Sequence, residues 1–276
     1  MLCKTLIAFT FFITTLLASA QTTRTVRLNT PDDVGIIGTF YPTDQPHAPA
    51  VLLLHSILRD RSVWNDFATL LQHNGIAALT IDLRGHGEST RKLTAEGPIK
   101  IDVRNLMSRD YQDMLLDVEA AIDWLQTQPE IDKKRIALIG ESFGANIALR
   151  YAAINEDLSA VALFSPGLNY RGVRTDDVIR QLGQAPFHIF VSQNDAFAFE
   201  SSKRLVEIRQ ESGIDAATNQ LTVCTGSLHG TEMLKGVRNL PQIVLSWLKD
   251  ALPEIPAAPS NAPRPAPLRD PTAPVK

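Results

Sequence analysis

The stretch that decides the fold is Arg135-Ile136-Ala137-Leu138-Ile139-Gly140-Glu141-Ser142-Phe143-Gly144, which runs on into Ala145-Asn146-Ile147-Ala148-Leu149-Arg150. An apolar run of strand length leads into a serine between two glycines, and a helix-forming segment follows. Strand, sharp turn and helix together describe a nucleophile elbow, in which the serine hydroxyl stands at the top of a sheet. Glycines suit the flanking positions because so tight a turn leaves no room there for side chains. The bare G-x-S-x-G pattern is weak by itself; the strand before it and the helix after it give it weight.

Outward from the elbow, strand-like and helix-like segments alternate. Arg24–Leu28 and Val34–Tyr41 predict a hairpin about the Asn29-Thr30-Pro31-Asp32-Asp33 turn. Ala50–Leu54, Ile76–Leu83, Ala160–Phe164 and Phe187–Ser192 are short apolar runs suited to buried parallel strands, and Asn219–Thr225 predicts the last strand. Between them, 63–73, 109–128, 200–211 and 232–249 carry helical patterns. This alternation predicts an α/β fold with a mostly parallel sheet of about eight strands and helices on both faces. Ligands in such sheets bind beyond the carboxyl ends of the strands.

A serine hydroxyl is a weak nucleophile at neutral pH and needs a base, which in turn needs an orienting acid. Of the six histidines, His188 lies inside a predicted strand, His73 ends a helix and His47 sits in a proline-rich loop. His229 lies in Gly226-Ser227-Leu228-His229-Gly230, directly after the last strand, where a loop can carry an imidazole to the serine. Asp195 closes Ser192-Gln193-Asn194-Asp195, again just past a strand. Asp176 and Asp177 also fall between serine and histidine but follow no strand. The predicted triad is therefore Ser142, Asp195 and His229, in the chain order of strand–elbow–helix hydrolases. The backbone N–H of Phe143, next to the nucleophile, is the first predicted oxyanion donor. Ile57, in the His55–Arg59 loop after the Val51–Leu54 strand, is the second.

These residues resemble the α/β-hydrolase superfamily, and within it dienelactone hydrolase-like and prolyl-oligopeptidase-like serine esterases. The stretches that carry the likeness are Leu53-Leu54-His55-Ser56, Asp82-Leu83-Arg84-Gly85-His86-Gly87-Glu88-Ser89, Gly140-Glu141-Ser142-Phe143-Gly144, Asp195 and His229-Gly230, spread over about residues 24–250. The resemblance implies that 82–89 forms a tight structural turn, that Arg84 braces neighbouring loops, and that His86 belongs to the turn rather than to the catalyst. The nucleophile departs from that of dienelactone hydrolases proper, which use cysteine. The 166–185 interval, where relatives insert a helical lid, leaves space only for a minimal cap. Asn169, Tyr170 and Arg171 fall in that interval and are candidates to line the cleft.

The ends and the composition bound what remains. Residues 1–20 have the layout of a secretory signal peptide: Lys4, an apolar core from Thr5 to Leu17, and Ala18-Ser19-Ala20 before Gln21. They predict export to the periplasm or the extracellular space, with no membrane span once the leader is removed. From Pro253 to Lys276, 8 of 24 residues are proline, which suits a disordered tail and not a core. The folded domain is thus 21–252. The 27 basic residues include Lys4, so the mature chain keeps 26 against 30 acidic residues, a formal charge of −4. With no basic stripe, nucleic-acid binding is not expected. Cys224 is the one cysteine left after Cys3 goes with the leader, and its strand setting predicts an inert buried thiol. Neither His/Cys metal-ligand spacing nor a phosphate-cradling glycine loop is present, so no metal and no cofactor are expected. The expected function is a serine hydrolase acting on a small-molecule carboxylic ester. A peptidase or amidase with the same triad is the alternative, and a non-catalytic binding module on this scaffold a third.

Overall fold

The structure, a computed structural model, describes residues 22–215 and 218–254. The leader expected at 1–20 and nearly all of the tail expected at 253–276 lie outside the described residues.

The main sheet has ten strands. Six are parallel and run in the order β12 (Asn219–Cys224), β11 (Phe187–Ser192), β8 (Ala160–Phe164), β7 (Ile131–Glu141), β3 (Ala48–Leu54) and β4 (Ala77–Ile81). Beyond β4 the sheet turns antiparallel through β2 (Val34–Tyr41), which also pairs with β1 (Arg24–Asn29), and then through β5 (Arg91–Thr94) and β6 (Gly97–Lys100). The sheet therefore has two strands more than the eight expected. The additional pair is the β5–β6 hairpin, Arg-Lys-Leu-Thr-Ala-Glu-Gly-Pro-Ile-Lys, which is exposed along much of both faces. With no buried face, its sequence lacks the alternation by which a strand is recognised.

β3 and the Ile136–Gly140 part of β7 are apolar because both faces are covered there, and alternate residues feed two separate cores. Ala50, Leu52 and Leu54 of β3, with Ile136 and Leu138 of β7, pack beneath α3 (Met114–Thr127), α4 (Phe143–Ile154) and α5 (Ala196–Glu211). Val51, Leu53, Ala137 and Ile139 face the other way, onto α1 (Asn65–His73) and α7 (Leu240–Ala251). The sheet is thus pinned from both sides along the strands whose carboxyl ends carry the candidate site.

Two helices expected to be continuous are broken. The 109–128 segment is α2 (Ser108–Gln112) and then α3, which meet at Asp113. The 232–249 segment is α6 (Glu232–Gly236) and then α7, separated by Asn239 in the left-handed conformation at φ 63°. The 166–185 interval holds only a two-residue hairpin, β9 (Asn169–Tyr170) with β10 (Val173–Arg174), and one 3-10 turn at Ile179–Leu182. The cap is minimal, in line with the length of that interval.

Candidate active site

Gly140 ends the apolar part of β7, and Ser142 turns the chain into α4 with φ 52° and ψ −117°. A β-carbon at Gly140 would run into the Gly144 carbonyl, and one at Gly144 into the carbonyl oxygens of His55 and Leu54. Both glycines are therefore steric requirements: the elbow folds back on itself and lies against the end of β3. The Ser142 N–H donates to the Phe164 carbonyl of β8 at 2.7 Å, which secures the strained residue to the next strand. Phe143 opens α4, so its N–H has no helical partner. Its ring is buried edge-on against Tyr111 of α2, with centroids 5.5 Å apart.

The structure brings Asp195 and His229 into contact. Asp195 Oδ2 accepts a hydrogen bond from His229 Nδ1 at 2.6 Å. Asp195 occupies the N-cap position of α5, where aspartate ordinarily binds the helix's first amides. Here its side chain makes no capping bond and serves the imidazole instead. With Nδ1 donating to the carboxylate, the lone pair of His229 lies on Nε2. The two loops are tied together by Gln193 N–H to Cys224 O at 2.8 Å and by Asn194 N–H to Gly226 O at 3.0 Å.

Further ties hold the histidine loop over the elbow. Gly230 N–H donates to Ser165 Oγ at 3.0 Å, Thr231 N–H to Glu141 Oε2 at 2.6 Å, and Ser192 Oγ to the Leu228 carbonyl at 2.6 Å. Glu141 also accepts from Ser56 N–H through Oε1 at 3.1 Å. Ser56 immediately precedes Ile57, whose own N–H has no protein acceptor among the described residues. The structure thus brings Ser142, Asp195, His229, Phe143 and the Ile57 loop to one edge of the sheet.

Two other histidines lie close by and differ sharply from His229. His55 is fully buried. Its Nδ1 donates to the Ser56 carbonyl at 2.7 Å, and its Nε2 accepts from Leu83 N–H at 3.0 Å. Burial, aided by His86, pushes its pKa down to about 3, so it is a neutral strut between two loops. His86 stacks edge-on against it at 4.9 Å and bonds the Arg84 carbonyl within its own turn. Arg84 braces that turn as expected, with Nε on buried Asp117 at 2.8 Å and its two terminal nitrogens on Asp32 at 2.8 and 2.9 Å. Cys224 is a buried free thiol whose pKa burial raises, which suits the inert role read from its strand.

A cleft of about 510 Å³ opens beside the elbow, lined by Ile57, Leu58, Val103, Arg104, Leu106, Met107, Ser108, Tyr111 and Arg171. Of the three cap residues named from the sequence, Arg171 lines this cleft and Tyr170 lies near the nucleophile. Burial raises the Tyr170 phenol pKa; a hydrogen bond with Ser142 lowers it, and the Asp195 charge adds to the rise. The Tyr170 ring is set against Phe197 at 5.4 Å. Asn169 is exposed and caps its own hairpin, accepting from Gly172 N–H at 2.9 Å. The roles of Glu141, Ser165 and Ser192 were not read from the sequence, since each depends on a partner loop tens of residues away.

Comparison with known proteins agrees with this fold. The family model described as Serine aminopeptidase, S33 matches residues 45–210, more than half of the chain. An uncharacterized protein of Mycobacterium tuberculosis (strain ATCC 25618 / H37Rv) is 31% identical over 144 residues, 52% of this chain and 45% of that protein. The polyketide transferase grgF of Penicillium sp is 26% identical over 148 residues, 53% of this chain and 46% of that one. The chain spans about half the length of these curated relatives. Among solved structures, GrgF from Penicillium sp. sh18 has a TM-score of 0.69 at 17% identity, covering 84% of this chain and 99% of that one. A dienelactone hydrolase from Anabaena variabilis scores 0.67 at 20% identity, covering 85% and 100%. The Pyrococcus furiosus esterase Pf2001 scores 0.64 at 18%, covering 84% and 94%. At these identities the structural likenesses show the fold.

Proposed function

Because the chain belongs to the α/β-hydrolase family described as Serine aminopeptidase, S33, we propose that it hydrolyses carboxylic esters through an acyl-enzyme on Ser142. The observation that carries this reading is the 2.6 Å bond between Asp195 and His229, on a loop tied through Thr231 to Glu141, the neighbour of a serine in elbow geometry. His229 Nε2 takes the Ser142 proton as Oγ bonds to the substrate carbonyl carbon. The resulting oxyanion is held by the N–H groups of Phe143 and Ile57. Collapse breaks the bond to the leaving oxygen, which receives the proton from His229. Water, deprotonated in turn by His229, then releases the acid and restores Ser142. Asp195 fixes the Nδ1–H tautomer and offsets the imidazolium charge at each step.

The lining of the cleft favours an ester over a peptide with a free amino terminus. An aminopeptidase must hold a cationic amine, yet the cleft contains no carboxylate and has two arginines on its wall. Its aliphatic residues, Ile57, Val103, Leu106 and Met107, suit an apolar acyl or alcohol group. The match to a polyketide transferase favours one second reading, in which an alcohol, in place of water, takes the acyl group from Ser142.

A panel of 4-nitrophenyl esters of graded acyl length, assayed with wild type, Ser142→Ala and His229→Ala, tests the proposal. Each substitution is expected to lower kcat by at least about 10³-fold. Turnover that survives both would overturn the mechanism. Added methanol that yields methyl ester in place of acid would identify transfer.

A further inference from the structure

Resting on the esterase reading, we infer that Glu141 is a positioning residue for the reaction. Its buried carboxylate holds the oxyanion loop and the histidine loop in register with the serine beside it. Glu141 ends β7, paired with Phe164 of β8, and is 3% exposed. One oxygen accepts the N–H of Ser56, the residue before the Ile57 donor, and the other accepts the N–H of Thr231, two residues after His229. These partners lie 85 and 90 residues away in sequence and in opposite directions. No lysine or arginine pairs with Glu141 among the described residues, so its charge is met by backbone dipoles from these two loops.

The chemistry of the side chain explains why this position carries glutamate. Two N–H groups arriving from different loops need two acceptor oxygens and no donor, and an ionised carboxylate alone among side chains of this size supplies them. Charge-assisted bonds of this kind are about twice as strong as neutral ones, enough to define loop positions. The histidine loop is shaped to receive the carboxylate. Gly230 sits at φ 57°, and a β-carbon there would collide with Glu141 Oε2. The residue that the G-x-S-x-G pattern leaves open thereby sets where both halves of the machinery stand relative to Ser142.

Glu141→Gln tests this. A glutamine has one acceptor oxygen, and its amide nitrogen would meet the second N–H donor to donor, so one of the two loops must move. Displacements approaching 1 Å can cost about 10²-fold in rate. The expected result is a kcat about 10- to 100-fold lower per active site, with KM within about threefold of wild type. Affinity for a trifluoromethyl ketone, which forms a tetrahedral adduct at the serine, should fall in proportion to kcat/KM. Active sites are counted by fluorophosphonate titration. A merely structural role would lower the unfolding midpoint and the active fraction while leaving kcat and ketone affinity per site unchanged. Glu141→Asp, too short to span both loops, and Gly230→Ala, which drives Oε2 away with the carboxylate intact, guard against a variant that fails to fold; both should show the same selective loss. Per-site kcat/KM and ketone affinity within threefold of wild type in all folded variants would overturn the inference and leave the esterase reading standing. A wild type that neither turns over esters nor takes up the phosphonate would overturn both.

Discussion

Gly144→Ala separates the geometry of the oxyanion hole from the stability of the fold. A β-carbon at 144 would lie 2.7 Å from the Leu54 carbonyl oxygen and closer still to that of His55. Real β-carbons essentially never approach a neighbour within 3.0 Å, so the end of β3 must withdraw from α4 by at least about half an ångström. Ile57 is two residues beyond His55, and Phe143 adjoins Gly144, so the movement opens the space between the two proposed donors. Losing one oxyanion donor costs about 10²–10³-fold in kcat, and a partial misplacement should cost about 10²-fold. The stability effect should be far smaller. Overpacking costs about 1–3 kcal/mol, and about 1 kcal/mol is recovered because alanine favours helix over glycine. The expected variant is therefore folded, weakened by no more than about 2 kcal/mol, and nearly inactive. Active-site-titrated kcat on 4-nitrophenyl butyrate, with urea unfolding of the same samples, measures both. Gly35→Ala, whose β-carbon meets only the Arg91 carbonyl oxygen at 3.7 Å, is the control expected to keep full kcat. A folded Gly144→Ala enzyme with kcat within threefold of wild type would refute the reasoning.

Two further substitutions test the supports around the site. Arg84→Met strands Asp117, which is fully buried and whose pKa burial raises to about 6 against the pull of Arg84; it should cost about 3–5 kcal/mol in urea unfolding, and a loss below about 1 kcal/mol would show that the pair is not a brace. His188 is buried between Phe190 and Trp247, and burial pushes its pKa down to about 4. The unfolded chain takes up that proton near pH 6.5 and the native state only near 4, so stability is lost as pH falls through this window, at about 1.4 kcal/mol per unit. His188→Phe should make the loss between pH 6.5 and 4 shallower without abolishing it, because His55, held down to about 3, still contributes. An unchanged pH dependence of the urea midpoint would count against the assignment.

What the sequence made legible follows from where the information lies. Ser142 and Asp195 each stand just past a largely apolar run, and such runs declare buried parallel strands whatever packs against them; His229 follows the more polar edge strand Asn219–Cys224 and was legible from its place in the loop after that strand. The strand boundaries of β8 and β11 were legible for the same reason. The β5–β6 hairpin was not, because Arg91, Lys92, Gly97 and Pro98 give it no apolar face. The breaks at Asp113 and Asn239 were hidden because the apolar spacing of 109–128 and 232–249 continues across a short turn. Glu141 was hidden more deeply: a carboxylate between glycine and serine reads as a surface residue until the loops at 56 and 231 are seen to close on it. Tyr170 was legible as a cap residue, but its place near Ser142 depends on the fold of the cap.

The environments of the three histidines at this edge of the sheet differ, and the difference supports His229 as the proposed base. His55 and His86 are nearer in character to core residues. Desolvation lowers both pKa values, and in His55 both ring nitrogens are already committed to the backbone. Neither can accept a proton during turnover without a large loss of solvation. The His229 side chain is 40% exposed and has a carboxylate on one nitrogen only, which leaves the other without a protein partner among the described residues. A general base needs such a nitrogen within reach of the proton it takes. The buried pair contributes by staying neutral: a cation at His55, next to the loop that carries Ile57, would repel the Leu83 N–H it now accepts and loosen that loop. The position of His229 in the chain made it a candidate, and the contrast in burial with its neighbours makes the assignment a matter of electrostatics.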